Sequence, residues 1–514
     1  MNPMQLVLAL GTWGQTHRWV LCWAMGACFV LMVLTGVLGQ RRRHRATTHG
    51  SARWATRREV LKVGLFGRYG VVVGRFKGQL MLDDSETHCL LCGPTRGGRF
   101  GRRWGGKGTG VVIPTLLCLP HRRGWQAAWP ASALVTDPKD GETVDATAAG
   151  RAAAGQRVAI FCPHRSPQAG INVRDFIRLK TPHEFADATM IAQSLTAPEK
   201  MARETAVSLH FRDLATMLLT AGFLHVCYTV THASLAALWR FLTQQQDVQQ
   251  CITVMRQTAH SSYGVHQAIF SLTTAIKNIT GDRELSSVWS TAIRPLVLFN
   301  DPLVAASTDS STLDLNDLQY GSDPVTLYLV AESPRALERL HPLYRVILDV
   351  AMARLMQQPV RTWRHRLLCV GDELPAYGYI RAIEKGAADM AGYGMKLLAV
   401  TQDIAMLEEV YGERSALWGN TDLKIFHAPT HDHTAKRISE NLMGRSTIRN
   451  PVEQRHAGVM GRQSVSLQHV ARALLTTDEV MELAPWLEIV QVSGCKPILC
   501  HRVNSRRDKA FRGR

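Results

Sequence analysis

No internal repeat and no low-complexity tract occurs in the 514 residues, which excludes a solenoid and an architecture strung on flexible linkers. Acidic residues are in short supply: 42 Asp and Glu stand against 60 Lys and Arg, a formal net charge of +18. So basic a chain favours an acidic partner, either nucleic acid or an anionic membrane surface, although charge speaks to association and not to fold. Among eleven cysteines only Cys89 and Cys92 form a CxxC, and no second pair lies near them. Zinc or redox chemistry is therefore disfavoured, and buried free thiols in a reducing compartment are the simpler reading. At 46% hydrophobic residues the chain is no disordered scaffold, and its length suits two or three domains plus a membrane anchor.

Charge is absent altogether from Trp19 to Gly39, a run long enough to cross a bilayer as a helix. RRRHR follows at 41–45, with further arginines at 53, 57 and 58, whereas the N-terminal side carries only Arg18. That asymmetry predicts that the C-terminal bulk faces the cytoplasm. A cleaved signal peptide has a shorter apolar core and its basic cluster on the other side. The apolar stretch 4–11 is too short to span.

What is present beyond the anchor is a series of strand-like runs: 70–75, 88–92, 133–137, 157–162, 325–330, 366–374, 396–402, 423–429 and 488–494. Most are continuously apolar with helical patterns between them, which predicts a parallel sheet buried on both faces, a doubly wound α/β core. Between 178 and 290 the strand signal fades. Helical spacing takes over, as in Leu214, Met217, Leu218 and in Leu235, Leu238, Trp239, Leu242, and predicts an inserted all-α domain. The last residues, RVNSRRDKAFRGR, read as a basic, loosely ordered tail.

The stretch His88 to Pro120 has the order of a phosphate-binding loop: apolar HCLLC, a glycine-rich loop, then apolar VVIPTLL. Backbone N–H groups of such a loop wrap phosphates, the helix N-terminus adds partial positive charge, and a lysine reaches the terminal phosphates. Lys107 is that lysine. The pattern G-x-x-x-x-G-K-[ST] matches only as Gly101, Gly106 and Lys107, with Gly108 where the magnesium-binding hydroxyl belongs and Thr109 as the nearest substitute. On this segment alone, a glycine- and arginine-rich surface turn is the competing reading. Two registers are open: Gly93 to Arg96 keeps the loop's role while 97–105 bulge, or Gly101 opens a loop of standard length with Trp104 near the nucleotide. The second preserves the spacing that an anion nest needs.

RLLCVGDELPAYG supplies a second motif. Asp372 and Glu373 follow a buried strand at its C-terminal end, where open α/β sheets place ligands. In that position an Asp holds the Mg²⁺ shell and an adjacent Glu takes a proton from the attacking water. Two carboxylates after a strand can also be a solvated turn, and it is the pairing with a glycine-lysine loop on another strand that favours nucleotide chemistry. Gln402 ends a third buried strand, where a neutral amide can hydrogen-bond the terminal phosphate or the attacking water.

In order and wording these segments resemble the TraG-type coupling proteins of conjugative and type IV secretion systems, membrane-anchored ATPases related to RecA-like motor domains. The similar stretches are HGSARWAT, GPTR…GKGTGVVIPTLL, VTDPKDGE, LYLVAESPRALERLHPLYR, VGDELPAYG, VTQDIAMLEEVYG, NTDLKIFHAPTHDHTAKRIS and LLTTDEVMELAP, from about residue 49 to the end. The resemblance implies a RecA-like P-loop NTPase core with an inserted all-α domain, and a homo-hexameric ring on the inner membrane. It implies ATP and Mg²⁺ as cofactors and delivery of single-stranded DNA or a relaxosome to the secretion channel. By resemblance Lys107 is the Walker A lysine, Asp372 and Glu373 the Walker B pair, and Gln402 the sensor. Three departures stand out. Nine residues, Gly97 to Gly105, replace one serine of GPTRSGKG; Asp140 is extra in DPKDGE; and only one of two usual transmembrane helices is complete.

The expected organisation is a membrane anchor (1–45), a nucleotide-binding α/β domain in two parts (46–177 and 291–500), the all-α insert (178–290) and the tail (501–514). The expected function is a coupling ATPase with Gly101, Gly106, Lys107, Gly108 and Thr109 around the nucleotide and Asp372 and Thr109 on the metal. The alternative is a non-hydrolysing membrane adaptor that docks substrate, which the interrupted loop keeps open.

Overall fold

The computed structural model describes residues 50–95, 101–121, 124–165, 169–201, 205–279, 281–455 and 463–511. The apolar run 19–39, the arginines at 41–45 and loop residues 96–100 lie outside them. Among the described residues no helix is long and apolar enough to cross a membrane.

Fifteen strands are described: β1 (Val71–Phe76), β2 (Gln79–Asp83), β3 (His88–Cys92), β4 (Cys118–His121), β5 (Gly124–Ala127), β6 (Ser132–Asp137), β7 (Arg157–Phe161), β8 (Val325–Val330), β9 (Leu367–Gly371), β10 (Met395–Thr401), β11 (Thr421–Phe426), β12 (Arg445–Arg455), β13 (Gln463–Ala473), β14 (Leu487–Val492) and β15 (Ile498–His501). Eleven form one sheet in the order β2-β1-β15-β14-β11-β3-β10-β9-β6-β8-β7. From β11 to β7 all neighbours are parallel, with Leu398 opposite Cys89, Leu397 opposite Cys369 and Leu134 opposite Cys369 fixing the register. The other four strands are antiparallel, so the sheet is mixed. This corrects the expectation of a wholly parallel sheet: the runs at 70–75 and 488–494 are strands, but they belong to the antiparallel edge.

The central strands are continuously apolar because both faces are covered. Side chains alternate across a strand, and alternate residues enter two separate cores. Leu90, Leu134, Leu327, Leu367, Cys369 and Leu397 pack on one side against helices such as Glu184–Thr196 and Pro334–Leu355. Leu91, Val135, Tyr328, Val370 and Val400 pack on the other against Val111, Val112 and Leu116, which follow the glycine-rich loop. Arg151 is fully buried and donates to the Thr326 hydroxyl and to the carbonyls of Leu116, Trp129 and Ala131, tying its helix to the end of the helix behind the loop.

Between β7 and β8 no strand is described. The helices there are Glu184–Thr196, Ala206–Thr229, Leu235–Thr243, Val248–Gln257, Gln267–Lys277 and Asp282–Ile293. Thr205, Ser234 and Asp247 cap three of them by accepting a backbone N–H with their side chains. Helical turns continue past 290 as far as Tyr320, because Pro295 and Pro302 each open a further short turn at a position where a missing N–H costs nothing.

A separate contact unit comprises the long antiparallel hairpin of β12 and β13, with Ser51 bridged to Ser446. The C-terminal residues differ from the loosely ordered tail expected of them. Val503, Asn504 and Ser505 are buried, and Arg75 grips Asp508 through two bonds of 2.6 and 2.8 Å. Cys89 and Cys92 are buried free thiols, and burial pushes the Cys92 thiol up to about 12.

Candidate active site

Four strands that are neighbours in space, β3, β10, β9 and β6, run parallel, so their C-terminal ends meet along one edge of the sheet. Each ends in a polar motif. After β3, Gly93 donates its N–H to Thr401 at 3.2 Å, and Thr95 donates its hydroxyl to Gln402 Oε1 at 2.7 Å, which places Gln402 against the start of the loop. Residues Gly101–Trp104 form one helical turn, and Gly105 follows with φ +91°. A Cβ on Gly105 would lie 2.2 Å from the Val503 carbonyl, so only glycine fits there.

Lys107 opens the helix behind the loop. The Gly106 N–H points at the Thr109 hydroxyl oxygen (3.0 Å), and Gly110 donates to the Gly106 carbonyl (2.7 Å). The first turn is wide: Ile113 N–H reaches back five residues to Gly108. A Cβ on Gly108 would meet nothing within 4 Å, so the missing hydroxyl leaves open space at that point.

Asp372 and Glu373 follow β9, both buried. Glu373 has a left-handed backbone, φ +59°, a conformation that costs about 1–3 kcal/mol for a non-glycine residue. It ends the alternation of the strand, and the two adjacent carboxylates meet two different lysines. Lys107 lies 3.3 Å from Glu373 Oε2, and Lys139, after β6, lies 2.9 Å from Asp372 Oδ2. The second oxygens, Asp372 Oδ1 and Glu373 Oε1, are buried without a hydrogen-bond partner. Burial draws the Lys107 ammonium below its ordinary value against the pull of Glu373 and Asp372. For Lys139 burial acts in the same sense, but the Asp372 carboxylate outweighs it and the pKa is raised.

The extra residue Asp140 is absorbed locally. It adopts φ +59° and Gly141 φ +84°, while Asp137 still accepts N–H groups from Lys139 (3.1 Å), Thr143 (2.8 Å) and Val144 (3.3 Å), capping the helix Glu142–Ala153.

The structure therefore brings Gly106, Lys107, Thr109, Asp372, Glu373 and Gln402 to one edge, with Gly108 in the first turn behind Lys107. Gly101 lies within the helical turn before Gly105. Lys139 was missed as a site residue. It lies two residues beyond a buried strand that ends in Asp, the same strand-end signature that marked Asp372, and that signal would have found it. A hard cation with oxygen ligands fits the unpartnered Asp372 Oδ1. Among the described residues no group of three or more His, Cys, Asp or Glu could hold a metal.

Residues 48–512 match the family described as type IV secretory system conjugative DNA transfer. The chain is 30% identical over 477 residues to the conjugal transfer protein TraG of Escherichia coli, covering 85% of this chain and 71% of that protein. To the protein VirD4 of Agrobacterium fabrum it is 26% identical over 482 residues, covering 90% and 67% respectively. The solved structure of the plasmid coupling protein TrwB in complex with ADP and Mg²⁺ shares the fold, with a TM-score of 0.60 at 15% identity over 90% of this chain and 97% of that one.

Proposed function

Because the chain belongs to the type IV secretory system conjugative DNA transfer family, and so couples a DNA substrate to a type IV secretion system, we propose that it works as an ATPase centred on the two lysine–carboxylate pairs. One observation carries this reading: Lys107–Glu373 and Lys139–Asp372 meet along the edge where the parallel strands end, each carboxylate keeping one buried oxygen without a partner. TrwB, which shares the fold, binds ADP and Mg²⁺.

In this reading the N–H groups around Gly106 and Lys107 bind the phosphates, and Lys107 turns its charge from Glu373 to the terminal phosphate. Asp372 and the Thr109 hydroxyl would hold Mg²⁺, which would supply positive charge to offset that of the phosphates. Glu373, released from Lys107, accepts the proton of the attacking water, and Gln402 orients that water. The helical run between β7 and β8, with 178–290 as its core, selects substrate. Lys and Arg contacts to phosphates make DNA binding tolerant of sequence and sensitive to salt. The working unit is a homo-hexamer around single-stranded DNA or a relaxosome.

The test is ATP turnover by the full chain in detergent, with and without single-stranded DNA, from about 50 to 200 mM salt. Turnover should rise several-fold with DNA, and DNA affinity should fall steeply over that range. Tight DNA binding with no turnover at any salt would favour the non-hydrolysing adaptor, which the nine residues Gly97–Gly105 and the glycine at 108 support.

The uncharged run 19–39 followed by RRRHR supports an inner-membrane anchor with the bulk of the chain in the cytoplasm. A reporter fused after Arg514 should behave as cytoplasmic and one fused before Met1 as periplasmic. The reverse pattern would defeat the anchor.

A further inference from the structure

The interrupted loop poses a physical problem. Its two ends, Gly93 and Gly105, are separated by eleven residues, and holding both in place opposes the conformational freedom of the chain between them. Buried His427 lies against the first end, half-buried Arg502 against the second, and the two touch each other.

His427 follows β11 and donates its backbone N–H to the Cys92 carbonyl (2.9 Å), directly before Gly93. A Cβ on Gly93 would lie 2.8 Å from the Cβ of His427, so the imidazole is packed against the first glycine. Arg502 follows β15. Its Nη2 donates to the Gly105 carbonyl and lies 2.9 Å from His427 Nδ1, while Nη1 donates to the Pro485 carbonyl at 3.1 Å. A guanidinium only donates, so His427 Nδ1 accepts, and its protonated Nε2 faces Glu488 Oε2 at 3.2 Å. Burial, reinforced by Arg502, holds the His427 pKa well below its ordinary value, in keeping with a neutral ring.

The residues after Arg502 continue the grip. Asn504 Nδ2 donates to the Arg103 carbonyl (3.3 Å), and Ser505 N–H donates to the Thr109 carbonyl (2.9 Å). The Trp104 ring lies 5.6 Å from that of Trp486, with the Arg103 guanidinium 5.0 Å from its centre. The segment is itself held to the sheet through Arg75 and Asp508 and through Val503, which packs with Val72 and Leu82.

We infer that Arg502 and His427 form a clamp that closes the interrupted loop, with the segment 502–505 as a built part of the phosphate site and Arg502 as its main positioning residue. The clamp holds Gly105 in its left-handed conformation and so presents Gly106 and Lys107 ready for an anion, whatever the intervening residues do. The nucleotide part of this inference rests on the function proposed above, whereas the closing of the loop does not.

Amide hydrogen exchange of the full nucleotide-free chain tests the clamp, with ADP affinity measured alongside. In Arg502→Gln, exchange over 103–110 should rise at least about tenfold while strands β6, β8 and β9 keep their protection. ADP affinity should fall at least about tenfold, with turnover at saturating ATP retained, because a positioning residue lost before binding raises KM more than it lowers kcat. Arg502→Lys keeps the charge but not the planar fork that reaches Gly105, His427 and Pro485 together, and should recover only part of the affinity. If Arg502→Gln fails to fold, Gly105→Ala breaks the same contact by driving a methyl group into the Val503 carbonyl and leaves every buried charge partnered. Unchanged exchange over 103–110 in a folded variant overturns the clamp. Raised exchange in the variant, with a parent that binds no ADP, would uphold the clamp and overturn the nucleotide reading.

Discussion

Glu373→Gln should leave ATP binding close to that of the parent and lower turnover by about 10²- to 10⁴-fold, the range over which a positioned general base contributes. The substitution keeps size and shape, and a glutamine carbonyl can still accept from Lys107, now 3.3 Å from Oε2. It removes the one property the proposal needs, which is a carboxylate that takes up a proton when Lys107 turns to phosphate. The backbone at 373 is left-handed in either case, so the strain of φ +59° does not change between parent and variant. Equilibrium binding of labelled ATP and single-turnover hydrolysis on the same sample give the comparison. Hydrolysis at the parental rate would remove Glu373 from the chemistry.

Lys107→Ala is expected to act on two quantities that can be separated. Loss of a charge-assisted bond to the terminal phosphate corresponds to about 1.5–3 kcal/mol, roughly 10- to 100-fold in nucleotide affinity. The same change leaves Glu373 buried opposite no cation, and stripping one partner from a buried pair costs about 3–5 kcal/mol of stability. The double variant Lys107→Ala with Glu373→Gln should regain most of that stability without regaining nucleotide affinity, because the orphaned charge is gone while the phosphate still lacks its lysine. Thermal unfolding and ADP titration of the three proteins check this. Full affinity in Lys107→Ala would contradict its place in the site.

Much of the fold was legible because it rests on local rules. HCLLC, VTLYLV and LLCVG read as buried strands because a strand covered on both faces needs apolar side chains at every position, and all three runs are fully buried. Asp372, Glu373 and Gln402 were legible for the same reason: a polar residue directly after such a run marks the edge where parallel strands end. The antiparallel edge was less legible. β2 and β15 are only five and four residues long, and nothing in QLMLD or ILCH tells a strand from a turn without its partner.

By itself, the sequence determined the central strands and the helical stretch between 178 and 290, that polar motifs stand at strand ends, and that a glycine-lysine loop precedes a helix. These depend on side-chain periodicity and backbone preference over a few residues. Only the tertiary structure decided that β3, β10, β9 and β6 are neighbours, and hence that Lys107 meets Glu373 across 266 positions and Lys139 meets Asp372 across 233. It alone also placed a basic C-terminal stretch against the glycine-rich loop, with Arg502 reaching Gly105 across 397 positions. Strand order and the pairing of buried charges follow from how whole layers pack and from where a desolvated cation can find an acceptor, and neither leaves a periodic trace in the chain.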